Sequence, residues 1–489
     1  MTGRPSMNFI LFNPDELRAE SVGCYGHPLV RTPNLDALAA SGTRFDQCHV
    51  QHPVCTPSRC SFMTGWYPHV RGHRTLGHPL QQGEPNLLHY LRSAGYDVRM
   101  GGKNDLFSPE ALRESVDDCH LHRRVSKPAA PSPRDCFPPD DPRAQSFLQH
   151  SLRSIEEMSD HALVSGAIDF LQTGPRAPFC LFLPLEFPHP PYAAPQPWHD
   201  LIDPATLPPL RPPGLARKPA FHELIRRSRR LEELDEAFLR KLNAVYLGMI
   251  STMDHLLGRL LKVLDETGLA ENTAVFVFSD HGDWAGDYGL VEKWPSALDD
   301  TLTRVPFVAR IPGASAGHVV SEPIELIDLL PTVMDLAALP LRHTQFGRSL
   351  VPQLRGAPGD SSRAVFAEGG CSAREPHCLE GRELASMPPL YVPKGRLQQT
   401  QPAALSRAVM IRTQTHKLIH RPDGDSELYD LAADPRELRN RYGDAACAGI
   451  QQSLERRLLD WLVQTSDVTP FREDPRGFPD TLEHSTSHA

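Results

Sequence analysis

Short apolar runs bounded by polar or turn residues recur along the chain: Phe9 to Phe12, Val98 to Met100, Phe179 to Leu185, Ala274 to Phe278 and Pro306 to Ile311. Unbroken apolar runs of this length suit strands buried on both faces, as in a parallel sheet. Between them the spacing turns helical. Thr32 reads as an N-cap, Pro33 as the first helical residue and Gly42 as the stop, with Leu35, Leu38 and Ala39 on one face. Asn243 to Glu266 repeats Val245, Met249, Met253, Leu256, Leu257, Leu260 and Leu264 at helical spacing, and Gly268 follows. This alternation predicts an α/β sandwich with a mostly parallel sheet.

After about residue 360 the pattern changes. Ala408 to Ile411 and Lys417 to His420 read as strands, and Pro422-Asp423-Gly424-Asp425 turns the chain into Glu427 to Leu431. Short strands joined by a tight turn predict an antiparallel sheet, closed by an amphipathic helix over Ala446 to Leu462. The reading is therefore two domains, 1–360 and 361–489, with no internal repeat and a weakly patterned tail after Asp467.

Composition refines this picture in a few places. The 48 prolines cluster at Lys127 to Pro142, Pro188 to Pro219 and Pro388 to Pro402, which predicts long surface loops, with Pro190 to Arg230 roofing a pocket. The net charge of -9 argues against nucleic acid or an anionic membrane as the main partner. No run approaches the ~20 apolar residues that span a bilayer. Met1 to Met7 lacks the apolar stretch of a secretory signal. The ten cysteines follow no regular spacing and are read as mostly reduced, buried thiols of a cytoplasmic protein.

In open α/β sheets, ligands bind just beyond the carboxyl ends of the strands. Asp15 and Glu16 follow the first predicted strand, and Lys103, Asn104 and Asp105 follow the second. His189 follows the third, and the fourth runs into Ser279-Asp280-His281-Gly282-Asp283. Alone, an Asp after a strand is more often a turn former than a ligand. Four strands that deliver carboxylates, imidazoles and an ammonium to one edge suit a hard cation and an anionic substrate.

The densest local feature is Cys55-Thr56-Pro57-Ser58-Arg59. Residue chemistry leaves it open between a thiolate activated by Arg59 and a buried structural cysteine. Cys48, His49, His52, Cys55, Cys60, His69, His73 and His78 crowd around it, but their spacing fits no standard zinc pattern.

That pentapeptide resembles the signature of the type I sulfatases, in which the cysteine is oxidised to formylglycine. Thr32 to Ala39 and Gly42 to Phe45 are similar to the segment before the signature, and Asp15-Glu16-Leu17-Arg18 to the N-terminal metal motif. Gly102-Lys103, Pro188-His189, Ser279 to Asp283, Arg304 to Phe307, His416-Lys417-Leu418 and Glu427 to Leu431 follow in family order. The resemblance implies the alkaline-phosphatase-like fold. It implies a divalent metal bound by Asp15, Glu16, Asp280, His281 and the formylglycine at Cys55, with calcium the first choice and manganese the second. Arg59 would steady the formylglycine, Lys103 and Lys293 would hold the sulfate, and His189 would contact the ester and protonate the leaving oxygen. One hydroxyl of the hydrated aldehyde would attack sulfur, and the second would later expel sulfate.

Two positions depart from the family pattern. Glu16 stands where many relatives carry Asp. Asp105 stands where a His is common, and there it would face a cationic part of the substrate or pair with a lysine. A formylglycine-generating maturation enzyme follows as a partner, and a homo-oligomer is compatible with the sequence. The competing readings are a phosphonate monoester or phosphodiester hydrolase of the same superfamily and a catalytically silent binding protein on this fold. Lys103 favours the sulfate ester over the phosphonate.

Overall fold

A computed structural model describes residues 7–121, 137–175, 178–372, 374–380 and 383–468. Seven strands form one sheet: β1 (Asn8–Asn13), β2 (Thr43–His49), β3 (Asp97–Met100), β4 (Phe179–Pro184), β5 (Thr273–Phe278), β6 (Arg304–Arg310) and β7 (His318–Glu325). Their order is β3-β4-β1-β5-β6-β2-β7. The β3-β4-β1-β5 stretch is parallel throughout, whereas β6 runs antiparallel to both β5 and β2. The five predicted strands are all present, in a mostly parallel sheet.

The apolar runs are continuous because both faces are covered. Ile10 and Phe12 of β1, Leu181 of β4 and Val275 of β5 pack into one core with the helices Ser159–Gln172 and Glu236–Glu266. Phe9, Leu11, Phe182 and Phe276 point the other way, into a second core with the helices Cys55–Thr64 and Leu329–Leu336. Each such side chain contributes about 1.5–3 kcal/mol by leaving water. The strands are thereby pinned in register, and their carboxyl ends form a firm edge.

Local readings hold with adjustments. Thr32 stands at the N-cap of Pro33–Ser41, but its hydroxyl does not cap the helix. Asp254, from the long helix, takes the amides of Asn34 and Leu35 at 3.1 and 2.8 Å instead. The long helix begins at Glu236, seven residues before the predicted Asn243, where the Asp235 side chain caps it. A second sheet of four antiparallel strands, ordered β11-β10-β9-β8, comprises β8 (Val365–Gly369), β9 (Ala408–Arg412), β10 (His416–His420) and β11 (Glu427–Asp430). The closing helix is Ala448–Thr465.

The proline-rich stretches behave differently from the expectation. Residues Pro388 to Pro402 are not simply a loop: Val392–Thr400 is helical, with Pro393 in the first turn, where its missing N–H costs nothing. The Pro188 to Pro219 stretch is not wholly superficial, because Tyr192, Ala193 and Ala194 are core residues. Of Lys127 to Pro142, residues 127–136 lie outside the described residues, as do those of the tail from 469 on. No helix among the described residues is long and apolar enough to cross a membrane.

Candidate active site

The parallel half of the main sheet delivers its side chains to one edge, as predicted. Asp15 and Glu16 follow β1, Asp280 and His281 follow β5, Lys103 follows β3 and His189 follows β4. The turns are locked by short hydrogen bonds. The Ser279 hydroxyl accepts from the Leu17 amide at 2.9 Å and lies 3.0 and 2.8 Å from the carbonyls of Pro14 and His281. Gly102 has a φ of 80°, and a Cβ there would stand 2.4 Å from the Pro184 carbonyl oxygen, so the chain can pass β4 into Lys103 only with glycine. Glu16 holds a left-handed φ of 64° without being glycine. The Tyr246 hydroxyl donates to its carbonyl at 2.6 Å and helps to fix that strained turn.

Cys55 enters from a different direction, as the first residue of the helix Cys55–Thr64. Its Sγ lies 3.2 Å from His281 Nε2, 3.5 Å from Asp15 Oδ1 and 3.6 Å from Lys103 Nζ. Arg59, one turn on, is fully buried and bridges the two acids, with Nη2 2.9 Å from Asp15 and Nε 2.8 Å from Asp280. Lys103 completes the cluster at 2.5 Å from Asp15 and 3.1 Å from Asp105. Donor atoms of Asp15, Cys55, Asp280 and His281 all lie within 4.8 Å of one another.

The electrostatics sort these groups. Burial alone would raise the Asp15 carboxyl, but Lys103 and Arg59 outweigh it and hold Asp15 well below the ordinary range. Burial keeps His281 neutral, and its Nδ1 lies 2.8 Å from the Gly282 carbonyl. That carbonyl can only accept, so Nδ1 carries the proton and the Nε2 lone pair faces Cys55 and Asp15. Burial and Asp15 push the Cys55 thiol far up, which disfavours the thiolate reading. The carboxylates of Asp15 and Asp280 with a free imidazole lone pair suit a divalent cation.

Glu16 does not join this group. Its carboxylate contacts Lys293 and lies 3.2 Å from His189 Nε2, and it forms a second set of donor atoms with Asp15 and His189. Burial raises Glu16 against the pull of Lys293, and Asp283 adds to the effect. Burial also opposes charge on Lys293, but the ionised neighbours Glu292 and Asp15 help to keep that ammonium charged. Asp105 faces Lys103 with its side chain 29% exposed, so it sits on the open side of the site. The Pro190 to Arg230 stretch is not simply a roof. It is anchored in its middle, where Arg211 pairs with Glu20 at 2.7 Å and Asp287 at 2.8 Å.

Residues 7–339 match the sulfatase family model. The chain belongs to the sulfatase family. Residues 398–464 also match the C-terminal part of N-sulphoglucosamine sulphohydrolase. This sulfatase is 28% identical over 518 residues to a multifunctional alkaline phosphatase superfamily protein of Trinickia caryophylli, covering 95% of this chain and 96% of the other. It is 26% identical to the choline-sulfatase of Rhizobium meliloti, covering 90% and 82% of the two chains. The solved phosphonate monoester hydrolase of Silicibacter pomeroyi has a TM-score of 0.74 at 26% identity, covering 95% and 96%. The sulfatase is thus a hydrolase of the alkaline phosphatase superfamily, and its edge of buried acids, imidazoles and lysines is where its chemistry belongs.

Two supporting residues were not singled out from the sequence. The Ser58 hydroxyl donates to the Asp280 carbonyl at 2.5 Å, and Asp160 accepts the amides of Glu186 and Phe187 at 2.8 and 2.9 Å, fixing the turn that leads to His189. Only the family signature could have singled out Ser58. Asp160, at the start of a helix, looks like any acid in a first turn.

Proposed function

We propose that this sulfatase hydrolyses sulfate monoesters through a formylglycine made from Cys55, with one divalent cation held by Asp15, Asp280, His281 and residue 55. The observation that carries the reading is the seat of Cys55: a neutral, buried side chain among two acids, an imidazole and an ammonium. A thiol so placed is a poor nucleophile, whereas an aldehyde hydrate there would be surrounded by groups that activate and orient it. When bound, the cation would favour the ionised nucleophile and offset charge on the substrate oxygens. Calcium is named first for the oxygen donors and manganese second for the imidazole.

The chain's own residues divide the remaining work. Arg59 holds Asp15 and Asp280 apart and fixed. Lys103 and Lys293 supply fixed positive charge for the sulfate oxygens, where removing one such group costs about 3–4 kcal/mol in the transition state. His189 meets the leaving oxygen through Nε2, since its Nδ1 is held 2.5 Å from the Pro190 carbonyl. Glu16 steadies Lys293 and His189. Asp105 presents a carboxylate to the substrate beside Lys103. A formylglycine-generating enzyme is the partner this reading requires, and a cytoplasmic location is proposed with it from the free cysteines among the described residues.

The likeness to phosphonate monoester hydrolases favours a second reading, in which the same site takes a phosphonate monoester or a phosphodiester. Turnover of 4-nitrophenyl sulfate and of 4-nitrophenyl phenylphosphonate, which share a leaving group, separates the two. The proposal expects the larger kcat/KM on the sulfate. A phosphonate rate well above the sulfate rate overturns it.

A further inference from the structure

A segment from the C-terminal part of the chain docks beside Lys293 through buried charge. Lys394 Nζ lies 3.1 Å from both Glu292 Oε1 and Glu380 Oε2. Arg229 donates from Nη1 to the Leu390 carbonyl at 2.8 Å, and its Nη2 stands 3.6 Å from Glu292 Oε2. Glu292 in turn lies 3.7 Å from Lys293 Nζ. The side chains of Arg229, Glu292, Lys293 and Lys394 are at most 4% exposed. The backbone at Leu390 is therefore fixed relative to the site lysine.

This places Tyr391. Its ring packs on Phe147 at 5.2 Å between centroids, and the Arg229 guanidinium covers the Phe147 ring at 4.6 Å. The hydroxyl makes no hydrogen bond to a described residue, and the side chain is only partly buried, so the hydroxyl stays open to a ligand. The charged groups that act on it are Glu292, Lys293, Glu16 and Lys103, which belong to the site or adjoin it. Burial and Glu292 keep the phenol protonated, so it can donate a hydrogen bond.

We propose that Tyr391 is a specificity-determining residue of the sulfatase, its ring forming a wall against the organic part of the ester and its hydroxyl donating to the bound substrate. The proposal rests on the reading above that Lys103 and Lys293 hold the anionic group, and it extends that reading to the leaving-group side. It favours esters with a flat, unsaturated leaving group, because a ring against a ring gains attraction beyond burial of area.

The test uses the full-length enzyme and its Tyr391→Phe, Tyr391→Leu and Tyr391→Ala variants, with 4-nitrophenyl sulfate and ethyl sulfate as substrates. Tyr391→Ala is expected to lower kcat/KM about tenfold on the aryl ester, chiefly through KM, and about twofold or less on the ethyl ester. Tyr391→Phe should keep the aryl preference and lose a smaller factor on both esters. If Tyr391→Ala lowers Tm, Tyr391→Leu carries the comparison, since it retains bulk on Phe147. Equal losses on the two esters, or no loss on either, overturn the proposal. Repeating the series on 4-nitrophenyl phenylphosphonate keeps the two claims apart. A faster phosphonate reaction defeats the sulfate reading while the effect of Tyr391 is still judged on that ester.

Discussion

Among the described residues, two of the clusters of buried charge are built from the same residue types and make an instructive pair. One is the site, where Arg59 and Lys103 meet Asp15 and Asp280. The other joins the loop after the site to the antiparallel sheet. There Lys417 pairs with Asp300 at 2.9 Å and Glu437 at 2.7 Å, and Lys218 pairs with Asp299 at 2.7 Å. In the second cluster each charge faces its opposite and no side chain in these pairs is more than 10% exposed. The site differs: Lys103 and Asp105 reach solvent, and the donors around Cys55 converge on one point. Buried charge alone is therefore no mark of function, whereas convergent and partly open charge is.

The largest expected effect separates chemistry from stability. Cys55→Ala should lower kcat/KM by on the order of 10,000-fold or more, as removal of a nucleophile does, while Tm stays near that of the parent. Lys103→Met should cost about 100- to 1,000-fold in kcat with only a small change in stability. Lys417→Met should do the opposite. It leaves Glu437 buried without its 2.7 Å partner and Asp300 with Arg412 alone at 3.4 Å, and should lower the unfolding free energy by about 3–5 kcal/mol, with kcat of the folded fraction unchanged. Chemical denaturation and steady-state kinetics on the same preparations check all three. A Lys417→Met enzyme that is stable but slow would dissolve the contrast.

The smallest effect concerns an acid with no cation. Burial and Glu186 push Asp160 up to about 7, and among its partners are only the amides of Glu186 and Phe187. The folded state therefore keeps a proton that the unfolded chain has lost, and this contribution to stability falls as pH rises toward 7. Between pH 5 and 7 the wild type should lose about 2–3 kcal/mol relative to Asp160→Asn. Parallel stability curves for the two proteins would contradict this.

The core strands were legible because both of their faces are buried. Phe179 to Pro184 is apolar at every position. β2, Thr43–His49, was not legible: it mixes Arg, Asp and Gln with Phe and Cys, and its register shifts between Phe45 and Gln47. β7 carries Pro323 and exposes Val319, as an edge strand can. The site divided along the same line. Asp15, Lys103, His189, Asp280 and His281 follow predicted strands, so the strand-end rule reaches them. Cys55 and Arg59 hang from a helix after the unpredicted β2, where residue chemistry left their role open until the family resemblance assigned it, and Lys293 lies deep in a loop, where only that resemblance pointed to it. Arg229 and Leu390 meet across 161 residues and Lys394 and Glu292 across 102, with no local pattern to announce either contact.

The central claim is that residue 55 works as an aldehyde. Mass spectrometry of the Cys55 peptide, on preparations made with and without a formylglycine-generating enzyme, tests it when paired with rates on 4-nitrophenyl sulfate. Specific activity should rise in proportion to the fraction of peptide carrying the aldehyde, and the all-thiol preparation should be inert. Full activity from a preparation whose Cys55 is entirely thiol would contradict the account.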